Sequence, residues 1–129
     1  MAKRRRKKRY HTGTYTSLKT GVEHKYRSEW ERGFMAYLDS SDEVITWSYE
    51  QIVIEYVSNV RSKKVRKYYP DFYVKFADGH EKIVEIKPSR KVNHSIVQKK
   101  ATAAREWCSA HRMLYVILTE HELKFLQVL

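Results

Sequence analysis

The stretch from Tyr69 to Pro88 constrains the fold more than any other part of this 129-residue chain. A turn signal, Asp78-Gly79, separates two runs rich in branched and aromatic residues, which predicts a β-hairpin. Strand side chains alternate faces, so Ile83, Glu85 and Lys87 share one face while Lys82, Val84 and Ile86 share the other. A carboxylate and an ammonium therefore project together from a strand whose opposite face is apolar. Asp71, on the preceding strand, joins them only if the hairpin register is odd. A two-residue loop would place Phe72 opposite Glu85 and send Asp71 to the other side. A three-residue loop, Asp78-Gly79-His80, would pair Tyr73 with Glu85 and Asp71 with Lys87, with the glycine left-handed. The odd register is the expectation.

The flanking sequence reads as one α/β domain. Ser28 and Glu31 have capping-box spacing, and Trp30, Phe34, Met35, Tyr37 and Leu38 carry a helical apolar stripe up to Asp39-Ser40-Ser41-Asp42. Strands are predicted at 52–57, 65–76, 82–86 and 113–118, with Pro70 marking an edge or bulge in the long second run. A second helix is predicted over 94–111, with Ile96, Val97, Ala101, Ala104, Trp107 and Cys108 inward. Thr119 and Glu122 repeat the capping-box spacing before a short last helix. The expected architecture is a mixed sheet of about four strands flanked by helices. It is preceded by a basic extended or disordered arm at 1–25, irregular over 10–27, so that the domain proper covers 26–129.

Charge bounds the partner. The 26 Lys and Arg outnumber the 15 Asp and Glu, for a net charge of +11, and nucleic acid is the commonest polyanion met by such a domain. Anionic lipid or an acidic protein groove would satisfy the same charge. No run approaches the ~18 apolar residues of a membrane span. The single Cys108 excludes an internal disulfide and reads as helix packing rather than a nucleophile. The six histidines show no paired ligand spacing, which argues against structural zinc. His80 falls in the hairpin turn, and His94, after the Lys87 strand, is a candidate for substrate contact. Trp30, Trp47 and Trp107 read as core residues.

Two carboxylates beside a lysine suit phosphodiester hydrolysis. Hard oxygens hold Mg²⁺, with Mn²⁺ as a substitute, and the cation retains several waters. Lys87 is placed to orient an attacking water or to offset charge developing on the phosphate.

Pro70-Asp71, thirteen residues, then Glu85-Ile86-Lys87 resembles the motif of the PD-(D/E)xK nuclease superfamily. Tyr26-Arg27-Ser28-Glu29-Trp30-Glu31, Tyr49-Glu50-Gln51, Tyr68-Tyr69-Pro70-Asp71-Phe72 and Val84-Glu85-Ile86-Lys87-Pro88 extend the likeness. They resemble the N-terminal domain of TnsA-type transposase endonuclease subunits and the head-completion nucleases of tailed phages. The resemblance covers roughly residues 26–123. It implies a restriction-endonuclease-like core and a DNA endonuclease with Asp71, Glu85 and the Ile86 carbonyl as metal ligands. It also implies a glutamate on the first helix, for which helical spacing favours Glu31 over Glu29. Glu50, Gln98, Lys99 and Lys100 are accessory candidates. The phage likeness implies processing of genome DNA ends during virion assembly, with portal or head-tail partners, in the cytoplasm of a bacterial host or on the virion. A transposase-like subunit, a repair or junction nuclease and a non-catalytic DNA-end-binding virion protein are the alternatives. Double-strand cleavage by one site would call for a homodimer or two sequential events.

Candidate phosphate contacts are the arm residues Lys3, Arg4, Arg5, Arg6, Lys7, Lys8 and Arg9, and the cluster Arg61, Lys63, Lys64, Arg66 and Lys67. No base-reading helix is evident, so little sequence specificity is expected.

Overall fold

The computed structural model describes residues 12–129, so the arm residues Lys3 to Arg9 lie outside the described residues. In chain order the elements are β1 (Gly13–Thr16), β2 (Glu23–Tyr26), α1 (Glu29–Ser40), β3 (Val44–Tyr49), β4 (Ile54–Asn59) and β5 (Lys64–Tyr68). There follow β6 (Phe72–Phe76), β7 (Glu81–Ile86), α2 (Ser95–Ala110), β8 (Leu114–Leu118) and α3 (Glu120–Phe125). The central sheet has the order β3-β6-β7-β8, antiparallel except for the parallel pair β7-β8. This four-stranded mixed sheet with its packed helices is the restriction-endonuclease-like core that the motif implies.

Its membership differs from the sequence expectation. The fourth strand is β3, which was not predicted, and the predicted 52–57 strand pairs with β5 in a separate ribbon, β4-β5. A register shift between Val44 and Thr46 breaks the period-two pattern of β3, so Val44, Trp47 and Tyr49 are buried out of simple alternation. The long run at 65–76 divides at Pro70-Asp71 into β5 and β6, as a proline without a ladder donor dictates.

One sheet face packs against α1 and α3. Phe72, fully buried on β6, meets Phe34, Tyr49 and Trp47 at ring-centroid distances of 5.0, 5.4 and 6.0 Å. Met35, Leu38, Val74, Val84, Ile86 and Leu123 fill the rest of this core. A second cluster lies where α2 covers the β4-β5 ribbon, around Ile54, Tyr56, Tyr68 and Ala104. Cys108 is buried, which pushes its thiol up to about 11 and accords with a packing role. Of the expected inner residues of α2, Ile96 is instead exposed.

Residues expected to be irregular contain the β1-β2 hairpin. Its residues are too polar to advertise a strand, and tertiary contacts hold it. Asp39, in the last turn of α1, is poorly placed for the helix dipole. It accepts hydrogen bonds from Tyr15 Oη (2.7 Å), Ser17 Oγ (2.7 Å), the Leu18 N–H (2.7 Å) and Trp47 Nε1 (2.8 Å). Burial pushes its carboxyl up, but these four donors outweigh burial and hold it below the usual range.

His24, on β2 of this hairpin, is 7% exposed, its ring 4.8 Å from that of Trp47 and its Nε2 without a hydrogen-bond partner. Burial lowers its pKa, with Asp39 opposing. The neutral imidazole therefore contributes stability above the ordinary histidine range, and this is lost as pH falls through the depressed folded value. Thermal melts should show Tm falling by roughly 3–5 °C more between pH 7.5 and 5.5 in the wild type than in His24→Phe. Parallel pH profiles in the two proteins would refute this.

Candidate active site

The β6-β7 hairpin has the odd register, displaced by one residue along the chain. Phe72 pairs with Val84 and Tyr73 with Ile83, and Phe76 N–H reaches the His80 carbonyl at 2.9 Å. The loop is therefore Ala77-Asp78-Gly79, not Asp78-Gly79-His80, and Tyr73 does not face Glu85. Gly79 has φ of 95°, the left-handed conformation expected of it, and Asp78 Oδ1 accepts the His80 N–H at 3.0 Å. Extending this register one step past Phe72 and Val84 sets Asp71 opposite Glu85 rather than Lys87. The two acids are closer than the expected diagonal.

Their surroundings fix them. Asp71 Oδ2 accepts the Ile86 N–H at 2.8 Å, and the Asp71 N–H donates to Glu85 Oε1 at 3.3 Å. Glu85 Oε1 also accepts from Tyr68 Oη at 2.6 Å, while Oε2 lies 3.4 Å from Lys87 Nζ. Glu31 enters from α1. Ser28 caps that helix by accepting the Glu31 N–H at 3.2 Å, but the Glu31 carboxylate does not close the box on Ser28. Its Oε1 accepts instead from the Arg27 N–H (2.7 Å) and Tyr49 Oη (2.9 Å). Glu31, Asp71 and Glu85 are 8, 8 and 7% exposed.

All three acids line one open cleft of about 600 Å³, together with Lys87, Glu50 and Ile86. A strand residue's N–H and C=O face the same neighbour, so the Ile86 carbonyl points to the side where its N–H meets Asp71. Glu50 sits at the end of β3 with φ of 55°, its N–H donating to the Asp71 carbonyl at 2.9 Å. Burial, then Glu31 and Glu85, raise its carboxyl, and Arg27 at 3.1 Å opposes them. Asp71 is held well above the usual carboxylate range by burial first, then by Glu85 and Glu31, with the Ile86 N–H and Lys87 opposing.

That excess of buried negative charge fits a cation. Among the described residues no three acids or histidines close into a metal cage as they stand. Mg²⁺ needs no cage, since one or two carboxylates and several waters complete its octahedron. Asp71 and Glu85 are the pair that would hold it.

Other candidates separate. Lys67 and Lys100 line the cleft, and Lys100 Nζ lies 5.5 Å from the Tyr68 ring centroid. Gln98 and Lys99 line a different groove, between α2 and the β4-β5 ribbon. Gln98 Nε2 donates to the Val92 carbonyl at 2.6 Å and Lys99 Nζ to the Ser58 carbonyl at 3.0 Å. One residue along a helix is about 100° around it, so Lys100 turns to the cleft and its two predecessors do not. Arg61, Lys63, Lys64 and Arg66 are exposed on the ribbon that flanks Lys67. His80 stacks on Phe76 and pairs with it just after the turn, and His94 precedes α2 as its N-cap. Sequence reasoning missed Arg27 and gave Tyr68 no role; the only local signal for Tyr68 was its place beside Pro70-Asp71.

Residues 41–120 match the family described as TnsA-like endonuclease N terminal. The chain belongs to that family. The matched span holds Asp71, Glu85 and Lys87; Glu31 lies before it. The head completion nuclease of Enterobacteria phage T4 is 38% identical over 79 residues, which cover 61% of this chain and 52% of that protein. The chain thus spans about half the length of the curated relative it matches.

Proposed function

We propose that this TnsA-like protein is a divalent-metal-dependent DNA endonuclease. The observation that carries the reading is the convergence of buried Glu31, Asp71 and Glu85 with Lys87 in one open cleft. Asp71 and Glu85 would hold Mg²⁺, or Mn²⁺ in its place, assisted by the Ile86 carbonyl and by Glu31. Such an ion, when bound, polarises the phosphate and lowers the pKa of a coordinated water. Lys87 stands beside Glu85 to orient the attacking water or to neutralise developing phosphate charge. Glu31 is fixed through its Oε1 by the Arg27 N–H and Tyr49, which leaves Oε2 without a hydrogen bond among the described residues.

DNA as the substrate is supported by the net charge of +11 and by the cations at the rim, Arg27, Lys67 and Lys100. The exposed Lys63, Lys64 and Arg66 extend this surface along the β4-β5 ribbon. The likeness to a head completion nuclease favours trimming of genome DNA ends during virion assembly, in the bacterial host cytoplasm, over a transposase or repair role. No helix among the described residues is long and apolar enough to cross a membrane.

The test is cleavage of plasmid and linear DNA with Mg²⁺ or Mn²⁺, against EDTA and Glu85→Gln. Cleavage by the wild type alone, and only with metal, supports the reading. DNA binding without cleavage under any divalent ion would overturn it in favour of an end-binding virion protein.

Phosphate contact has its own readout. In EDTA, the slope of log affinity against log salt should flatten by about 2 in Lys67→Ala/Lys100→Ala, since each lost contact removes roughly 0.9. An unchanged slope, measured by fluorescence anisotropy, would take these lysines off the DNA surface.

A further inference from the structure

Glu85 is held by more than its strand. Its Oε1 accepts from Tyr68 Oη at 2.6 Å and from the Asp71 N–H at 3.3 Å, whereas Oε2 turns toward Lys87. A tyrosine has one hydroxyl proton and an ionised carboxylate has none, so the proton between Tyr68 and Glu85 comes from Tyr68. The Tyr115 hydroxyl, 3.0 Å from that of Tyr68, is then the donor to the Tyr68 oxygen. The result is a one-directional chain, Tyr115 to Tyr68 to Glu85, in which each bond polarises the next. Both rings are pinned by α2, with Lys100 over Tyr68 at 5.5 Å and Arg105 over Tyr115 at 5.9 Å.

Asp71 is divided in the same manner. Its Oδ2 is taken by the Ile86 N–H, which leaves Oδ1 without a hydrogen bond among the described residues. Each acid therefore commits one oxygen to a short hydrogen bond, and the other is met only by Lys87 on Glu85 and by no hydrogen-bond donor among the described residues on Asp71.

We propose that Tyr68, backed by Tyr115, is a positioning residue that keeps Glu85 monodentate, presenting only Oε2, and so tunes the site for Mg²⁺ against Ca²⁺. The inference rests on the metal-dependent reading above. Mg²⁺ takes single oxygens in a small octahedron, whereas Ca²⁺ accepts more ligands at longer distances, bidentate carboxylates among them. A Glu85 with Oε1 already engaged suits the first ion and handicaps the second. Removing the phenol hydroxyl leaves Oε1 only the longer bond from the Asp71 N–H, loosens the carboxylate and opens bidentate ligation.

Isothermal titration calorimetry of the metal-free full-length chain with MgCl₂ and with CaCl₂ tests this without any cleavage. Mg²⁺ affinity should fall roughly 10- to 100-fold in Tyr68→Phe, the range for lost outer-shell partners. Ca²⁺ affinity should hold or rise, so the Mg²⁺-to-Ca²⁺ affinity ratio drops at least about tenfold. Tyr115→Phe should move the ratio in the same direction by a smaller factor. A folded Tyr68→Phe with the wild-type ratio would overturn the inference, since general loosening weakens both ions alike. If Tyr68→Phe does not fold, an unchanged ratio in Tyr115→Phe overturns it. A wild type that binds neither ion overturns the metal-dependent reading and this inference with it. Wild-type binding with unmoved ratios overturns only the inference.

Discussion

Asparagine in place of Asp71 is expected to remove DNA cleavage and to make the metal-free protein more resistant to heat. The first effect should be on the order of 10³-fold, because a neutral amide neither anchors the cation nor offsets its charge. The second has a different origin. Asp71 is almost wholly buried, with the Glu85 and Glu31 carboxylates beside it and one nearby ammonium, that of Lys87. Burying a charge among like charges opposes folding, and asparagine keeps the shape and the acceptor for the Ile86 N–H while removing the charge. A gain of about 1 kcal/mol would raise Tm by roughly 3–6 °C in a domain of this size. Adding Mg²⁺ should invert the order, since a ligand at 100 times its Kd stabilises the wild type by about 2.7 kcal/mol. Scanning fluorimetry with and without MgCl₂, beside a plasmid-nicking assay, checks both halves. A variant that still nicks DNA, or that melts lower than the metal-free wild type, would remove Asp71 from the role assigned to it.

Lys87→Met should separate chemistry from cation binding. Methionine retains much of the lysine stem and loses only the ammonium. Cleavage should fall on the order of 10²- to 10³-fold, the usual cost of removing one group aimed at developing charge. Mg²⁺ affinity should hold or tighten, because Nζ, 3.4 Å from Glu85 Oε2, no longer competes for that oxygen. Single-turnover cleavage at saturating metal, paired with calorimetry, reads the two quantities apart. Equal losses in rate and affinity would make Lys87 a structural support for Glu85 instead.

Parity was legible in the sequence, and position was not. Glu85 and Lys87 share a face through strand alternation alone, whereas Asp78-Gly79 suits a two-residue turn as well as a three-residue one, and only the need to bring Asp71 beside Glu85 selects the odd register. Which three residues form the turn depends on contacts a local pattern does not carry: His80 stacks on Phe76 and continues the ladder instead of joining the loop. The α1 cap at Ser28 was equally plain, yet the Glu31 side chain is claimed by Tyr49, eighteen positions away, and by the Arg27 N–H. β3 escaped notice because its bulge interrupts the alternation of Val44, Trp47 and Tyr49. The β1-β2 hairpin was hidden for another reason: Asp39, which secures it, lies in a different element. Gln98 and Lys99 show the converse error, where proximity in sequence to Lys100 suggested a shared direction that helical rotation denies.

The pairing of Gly13 with Tyr26 has a topographic consequence. It folds the chain back so that whatever precedes Gly13 departs beside Tyr26, one residue from the Arg27 that lines the cleft. The seven consecutive cations Lys3 to Arg9 are thus leashed to the rim of the cleft and not to a remote corner. Covalent geometry bounds that leash at about 3.3–3.6 Å per residue, or roughly 14 Å to Arg9 and 35 Å to Lys3. The longer figure is close to one turn of duplex DNA. Under the proposed function, a duplex held at the carboxylates would have the turn that flanks them within that reach.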